Sequence, residues 1–208
     1  MNGFEKQELE TQGMMSKLFG SKPGHNALVE INNFLAESTA ATELTEEIVS
    51  NFIKNWGAKF DSSNIEYRSS MYRKVADHVY ISAVSKDDPV FEETRHLAQV
   101  LELPEKLQRL ADNGAKKVAY FSRCRKIISG EEPLTISEIN NVFGYDYEDG
   151  YDIRVQVFHD YLNKKFDEIA EQQRFSPDEE TALREICTKL DIPCLLYTSD
   201  AADDRISV

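Results

Sequence analysis

An all-α fold, a single helical domain of packed antiparallel helix hairpins, is what this sequence predicts, and three observations carry the prediction. Apolar residues recur at steps of three and four in almost every segment, helix starts are written out by capping residues, and one hairpin pattern occurs twice. Seven to nine helices are expected.

Taken in order, residues 1–25 read as an N-terminal extension and linker around an uncertain first helix. Ser21 to Asn26, with Pro23 and Gly24, forms the linker, and Met15-Ser-Lys-Leu-Phe-Gly reads like a start of its own. The helical domain is expected over 26–193. Ile48, Phe52, Ile53 and Trp56 mark one helix, started by Thr45 as cap with Glu46 and Glu47 at the positive end of the helix dipole. Tyr72, Val75, Ala76, Val79 and Ala83 mark the next, with His78 near its stripe as a packing residue. Asp88-Pro89 then supplies a cap and a proline ahead of Phe91, Leu97, Ala98 and Leu101. Val118, Phe121, Cys124 and Ile128 give another helix. Asn113-Gly114 and Gly130 fit left-handed C-terminal positions, although Gly114 also fits the interior of a longer helix. Thr135 with Glu138 is a capping box. Over 150–173, Tyr151, Val155, Phe158, Leu162, Phe166 and Ile169 predict one long amphipathic helix. Ser176-Pro-Asp-Glu179 opens a last helix with Leu183, Ile186, Cys187 and Leu190 inward.

Composition narrows the function classes. The 208 residues include 37 acidic and 24 basic ones, a net charge of −13. A chain this negative repels phosphate backbones and anionic membranes, so neither nucleic acid nor membrane is an expected partner. Cys124 and Cys187 have no metal-ligand spacing and sit on apolar faces, which points to core packing in a reducing compartment. With Glu5, Glu8 and Glu10 at the N-terminus in place of a basic start, a cytoplasmic location is expected.

The repeated pattern sets Asp88-Pro-Val-Phe-Glu-Glu-Thr with His96-Leu-Ala-Gln-Val-Leu-Glu-Leu-Pro104 beside Ser176-Pro-Asp-Glu-Glu-Thr with Glu185-Ile-Cys-Thr-Lys-Leu-Asp-Ile-Pro193, about 89 residues apart. Two related halves would account for it. So would any two well-capped helical hairpins. A long helix, an acidic capped start of the Ser-Pro-Asp-Glu-Glu type and Leu-x-x-Ile-x-x-x-Leu resemble the hairpins of tellurite-resistance TerB-like domains, over 157–193 and more loosely over 71–104. That resemblance implies an all-helical fold and a divalent metal ion held by acids, for which Asp178, Glu179 and Glu180, with Glu92 and Glu93, are the candidates. Without it, first-turn carboxylates answer the helix dipole, and no cofactor is expected.

The most distinctive surface candidate lies between Gly144 and Asp152, where four acids and three tyrosines fall together. Tested as a calcium loop with Gly150 at position six, it puts Tyr145 and Tyr147 where oxygen ligands are required, so the EF-hand reading fails. Tyr145, Asp146, Tyr147, Asp149 and Tyr151 remain as interaction candidates, since tyrosine offers rigid contact area with a polar end. The alternative is that Asp149 caps the long helix while Tyr151 packs beneath it. Lys116, Lys117, Arg123, Arg125 and Lys126 form a basic strip that suits an acidic partner, the acidic loop, or plain solvation. No nucleophile elbow, zinc-binding His pair, Walker loop or dinucleotide fingerprint is present, so no catalytic residue is named.

From Cys194, the run Cys-Leu-Leu-Tyr-Thr-Ser-Asp-Ala-Ala-Asp resembles one reading frame of a sequencing adapter, so 194–208 reads as a non-native tail. Without it the net charge is still −11. The sequence therefore leads to a cytoplasmic helical interaction or scaffold module, part of a longer protein, that binds a protein partner. A TerB-like metal-binding stress-response domain is the alternative.

Overall fold

The computed structural model describes residues 4–8, 25–55, 64–172 and 176–193, and it is all-α. The elements are α1 (His25–Glu37), a 3-10 turn (Ala41–Glu43), α2 (Glu46–Lys54), α3 (Ile65–Ser82), α4 (Phe91–Val100), α5 (Glu105–Ser129), α6 (Ile136–Phe143), α7 (Tyr151–Gln172) and α8 (Pro177–Lys189). No strand occurs among the described residues. The chain divides into two compact units, 1–119 and 120–208, and the division falls within α5. Met15, Trp56, Pro23, Gly24 and the 194–208 tail lie outside the described residues.

The capping signals are realised locally. Thr45 Oγ1 accepts the Ile48 N–H at 3.3 Å. Two complete capping boxes form: Glu138 N–H donates to Thr135 Oγ1 while Thr135 N–H donates to Glu138 Oε2, and Ser176 and Glu179 do the same for α8, with Pro177 in its first turn. Asp88 acts one turn before α4, its carboxylate accepting the N–H groups of Val84 (2.9 Å) and Val90 (3.0 Å). Residues 4–8, within the expected N-terminal extension, are pinned to α1. Asn32 donates to Glu5 O, and Asn33 exchanges two hydrogen bonds with the Gln7 backbone.

In the first unit α3 packs on α1 and α4, and α4 on the 3-10 turn. Tyr72, Val75, Ala76, Val79 and Ala83 are buried as expected, as are Leu97, Ala98 and Leu101. On α2 the stripe is rotated by one residue: Val49 is buried and Ile48 is 44% exposed, because Phe52 stacks on Phe34 with ring centroids 4.3 Å apart and so fixes the inward face. On α5 the buried line is Ala111, Ala115, Ala119, Tyr120, Cys124 and Ile127, while Val118 points outward. Gly114 sits inside this 25-residue helix rather than ending it, with the Arg73 guanidinium over the place a side chain would take. Gly130, at φ +78°, does take the left-handed position after it.

In the second unit α8 packs on α7, and Leu183, Ile186, Cys187 and Leu190 are buried. Neither Cys124 nor Cys187 is in a disulfide, and burial pushes the Cys124 thiol up to about 12. The expected α7 stripe is displaced. Arg154 and Val157 are buried, Tyr151, Val155, Phe158 and Leu162 are half-buried, and Phe166 is exposed. The cause is the tyrosine cluster described below, which draws Arg154 rather than an aliphatic residue into the interior.

The two hairpins end alike. Leu103 N–H reaches back to Ala98 O, and Ile192 N–H to Cys187 O. The residue between, Glu102 or Asp191, is left-handed at φ +44° or +51°. These are matched Schellman turns at corresponding positions of the repeated pattern. A donor from elsewhere in the same unit caps each: Arg68 Nη1 donates to Leu101 O at 2.7 Å, and Tyr147 Oη donates to Asp191 O at 3.2 Å. Because a side-chain-bearing residue in the left-handed region costs roughly 1–2 kcal/mol, partly offset by the greater unfolded-state freedom of glycine, Glu102→Gly and Asp191→Gly should each stabilise by about 0.5–1 kcal/mol. Thermal unfolding of each variant would show a higher midpoint.

Candidate functional site

The acidic, tyrosine-bearing loop is a tight turn held by its own hydrogen bonds. Gly144, left-handed at φ +64°, ends α6, and Tyr145 N–H returns to Asn140 O at 2.9 Å. Asp146 and Asp149 then bracket the turn, each carboxylate accepting the other residue's N–H at 3.0 Å. Asp149 is therefore committed to the turn and does not cap α7. The first turn of α7 closes instead on Gly150, whose carbonyl accepts the Arg154 N–H.

Beneath the turn lies a polar core that local sequence patterns do not reveal. Tyr120 is fully buried; its hydroxyl donates to Asn140 Oδ1 at 2.7 Å and accepts from Arg154 Nη1 at 2.9 Å. Burial pushes its phenol up to about 12, against the Arg154 hydrogen bond. Arg154 Nη2 donates to Tyr147 O at 3.0 Å, and the guanidinium lies 4.6 Å from the Tyr147 ring centroid and 5.7 Å from that of Tyr151. No carboxylate pairs with this fully buried cation among the described residues, and its Nε has no acceptor. Cation–π contact of this desolvated kind is worth about 2 kcal/mol. Tyr145 packs at 5.4 Å from Tyr120 and 5.8 Å from Phe143, and burial, then the Asp149 charge, raises its pKa.

Of the five candidates, Asp146, Tyr147 and Asp149 are exposed, and Tyr145 and Tyr151 are half-buried. The structure brings all five into one turn, on a foundation of Tyr120, Asn140 and Arg154. The only sequence signal for that foundation is an arginine one helical turn after Tyr151. Tyr147 also ties the turn to a groove. Its hydroxyl meets Asp191 O, and Asp191 lines a cavity of about 510 Å³ with Ile127, Pro133, Leu134, Ile136 and Thr188.

The basic strip does not form one solvated face. Arg123 is buried, 5.7 Å from the Phe143 ring centroid and 4.0 Å from Glu132, whereas Lys117 and Arg125 are exposed. The proposed metal ligands are dispersed in role. Glu179 closes its capping box, Glu180 pairs with Arg184 and Glu92 with Arg95, each pair at 2.7 Å. Glu93 is half-buried with Oε2 enclosed, and exposed Asp178 borders a cavity of about 240 Å³ beside Tyr161 and Lys165. Among the described residues no group of three His, Cys, Asp or Glu side chains is arranged to hold a metal ion. Nor, among them, is any helix long and apolar enough to cross a membrane. No family model matches the chain, and no curated protein or solved structure shows a significant match to it.

Proposed function

We propose that this chain is a helical protein-interaction module that receives a basic, partly apolar segment of a partner protein on the 145–151 turn and the adjoining groove. The observation that carries this reading is the bond from Tyr147 to Asp191, which joins a preformed acidic turn to the edge of an apolar cavity. A preformed surface binds with less loss of conformational freedom than a loose loop. Asp146, Glu148, Asp149 and Asp152 are exposed, and no basic side chain pairs with them among the described residues. With a net charge of −13, the long-range field also favours basic partners.

Alanine at Tyr145 or Tyr147 would be a poor test, because both rings help hold the fold. Asp146→Asn with Asp149→Asn is better, since asparagine keeps an oxygen for each backbone N–H while removing the charge. A labelled peptide alternating arginine and leucine should bind the natural protein, and binding should weaken with salt. The double variant should lose at least about 10-fold in affinity, corresponding to about 1.4 kcal/mol, with its thermal midpoint nearly unchanged. A charge-matched control, Glu46→Gln with Glu47→Gln, should bind as the natural protein does. Equal loss in both variants would reduce the effect to net charge and overturn the assignment of the site.

A further inference from the structure

The first unit holds a second cavity, also of about 510 Å³, where α3, α4 and α5 meet. Three aromatic residues line it, Tyr72, Tyr80 and Phe91, together with Thr94, Gln108 and Asp112. Tyr80 and Phe91 meet edge to face at 5.4 Å. Its size is that of a small-molecule site.

Exposed Lys86, Asp87 and Arg95 stand at the cavity mouth and bring both signs of charge there, while the inner groups Tyr72, Thr94 and Gln108 have each committed a donor. Tyr72 spends its O–H on Asp112 Oδ1 at 2.9 Å, and Thr94 spends its own on Phe91 O at 2.9 Å. Gln108 Nε2 donates to Leu103 O at 2.5 Å, and Arg95 at the mouth is paired with Glu92 at 2.7 Å. What these groups still offer is mostly acceptor capacity: Asp112 Oδ2, the lone pairs of the two hydroxyls and Gln108 Oε1. Asp112 is half-buried; burial raises its pKa, while the Tyr72 hydrogen bond and the charge of Lys116 work in the other direction. Lys116 also places its ammonium 5.7 Å from the Tyr80 ring centroid, so one wall already accommodates an organic cation.

We propose that this cavity binds an organic cation rich in N–H donors, an alkylammonium or guanidinium group, with its charge on Asp112 and its body against Tyr80 and Phe91. Aromatic walls attract a cation through the ring quadrupole, and the carboxylate supplies the opposite charge. The group could be a free amine or a lysine or arginine side chain of a peptide, and the chemistry is the same for both. This site is separate from the 145–151 turn and does not rest on that assignment.

Calorimetric titration of the full chain with butylguanidinium, butylammonium and tetramethylammonium tests the proposal. The first two should bind saturably. Tetramethylammonium, which has no N–H, should bind at least about 10-fold more weakly, a difference of about 1.4 kcal/mol. Asp112→Asn keeps an acceptor for the Tyr72 hydroxyl and should lose about 10-fold or more in affinity. Phe91→Leu keeps an apolar wall without the quadrupole and should lose several-fold, whereas Lys116→Met, which removes the resident cation, should strengthen binding. Asp146→Asn with Asp149→Asn should leave all three titrations unchanged. A blocked Gly-Arg-Gly peptide that binds more tightly than butylguanidinium would identify a partner's side chain as the source, and weaker binding would identify a free amine. Absence of binding by the natural protein at millimolar concentration, or equal binding by the folded Asp112→Asn and Phe91→Leu variants, would overturn the proposal.

Discussion

Replacing Arg154 with alanine is expected to lower the unfolding free energy by about 3–5 kcal/mol, the cost of breaking a buried charged network and leaving a cavity behind. The deletion takes one hydrogen bond from the Tyr120 hydroxyl, strips Tyr147 O of its donor and removes the cation beneath two tyrosine rings. Arg154→Lys should be nearly as damaging, at about 2–3 kcal/mol. A single ammonium cannot reproduce a planar fork that reaches Tyr120 and Tyr147 O together. Arg154→Met is the informative contrast, because it keeps most of the volume and removes a desolvated charge that has no carboxylate partner among the described residues. It should recover about half of the alanine loss. Urea denaturation of the three variants would order them alanine, lysine, methionine from least to most stable. A loss below about 1 kcal/mol for alanine would mean that the turn is held by its own backbone bonds and not by the arginine.

The same arginine shows where the sequence stops being legible. Capping boxes at Thr135 and Ser176 were readable because donor and acceptor lie three residues apart, and the α8 stripe because helical periodicity is local. The repeated hairpin was readable too, down to the apolar-Pro endings that form matched Schellman turns. Stripes went wrong where tertiary packing chose between neighbouring faces. Ile48 and Val49 are equally apolar, and the stacking of Phe52 on Phe34 decides which of them turns inward. Val118 looked like core on α5, but that helix buries its alanines and leaves the larger residue outside. For the candidate site, the sequence shows the residues of the turn but not their support. Tyr120 is 34 residues from Arg154, Asn140 is 20 from Tyr120, and no local pattern encodes a hydrogen bond over that distance. An arginine in an amphipathic pattern is read as solvent-facing, and only a set of buried acceptors makes it an interior residue. The Tyr72–Asp112 pair is illegible in the sequence for the same reason, spanning 40 residues between two helices.

Two glycine-to-alanine changes are expected to move stability in opposite directions, although an added Cβ meets a neighbour at both. At Gly150 an added Cβ would lie 2.5 Å from Cζ and from the hydroxyl oxygen of Tyr120. That ring is fully buried and tethered at its hydroxyl by Asn140 and Arg154, so it cannot withdraw without breaking both bonds. Gly150→Ala should therefore cost about 2–3 kcal/mol, at the upper end of what overpacking costs. Its φ lies outside the left-handed region, so the penalty is one of space and not of backbone strain. At Gly114 the approach is closer still, but the atom met is Arg73 Nη1, the tip of a long side chain that is about one-third exposed. Arg73 can swing aside at the expense of its pair with Asp77, a partly exposed i,i+4 pair worth a few tenths of a kcal/mol. Against that, alanine in a helix interior gains about 0.8–1.0 kcal/mol over glycine. Gly114→Ala should thus be neutral to stabilising by about 0.5 kcal/mol. Parallel denaturation curves would test both signs, and a destabilised Gly114→Ala would show that the Arg73 guanidinium is held in place over α5.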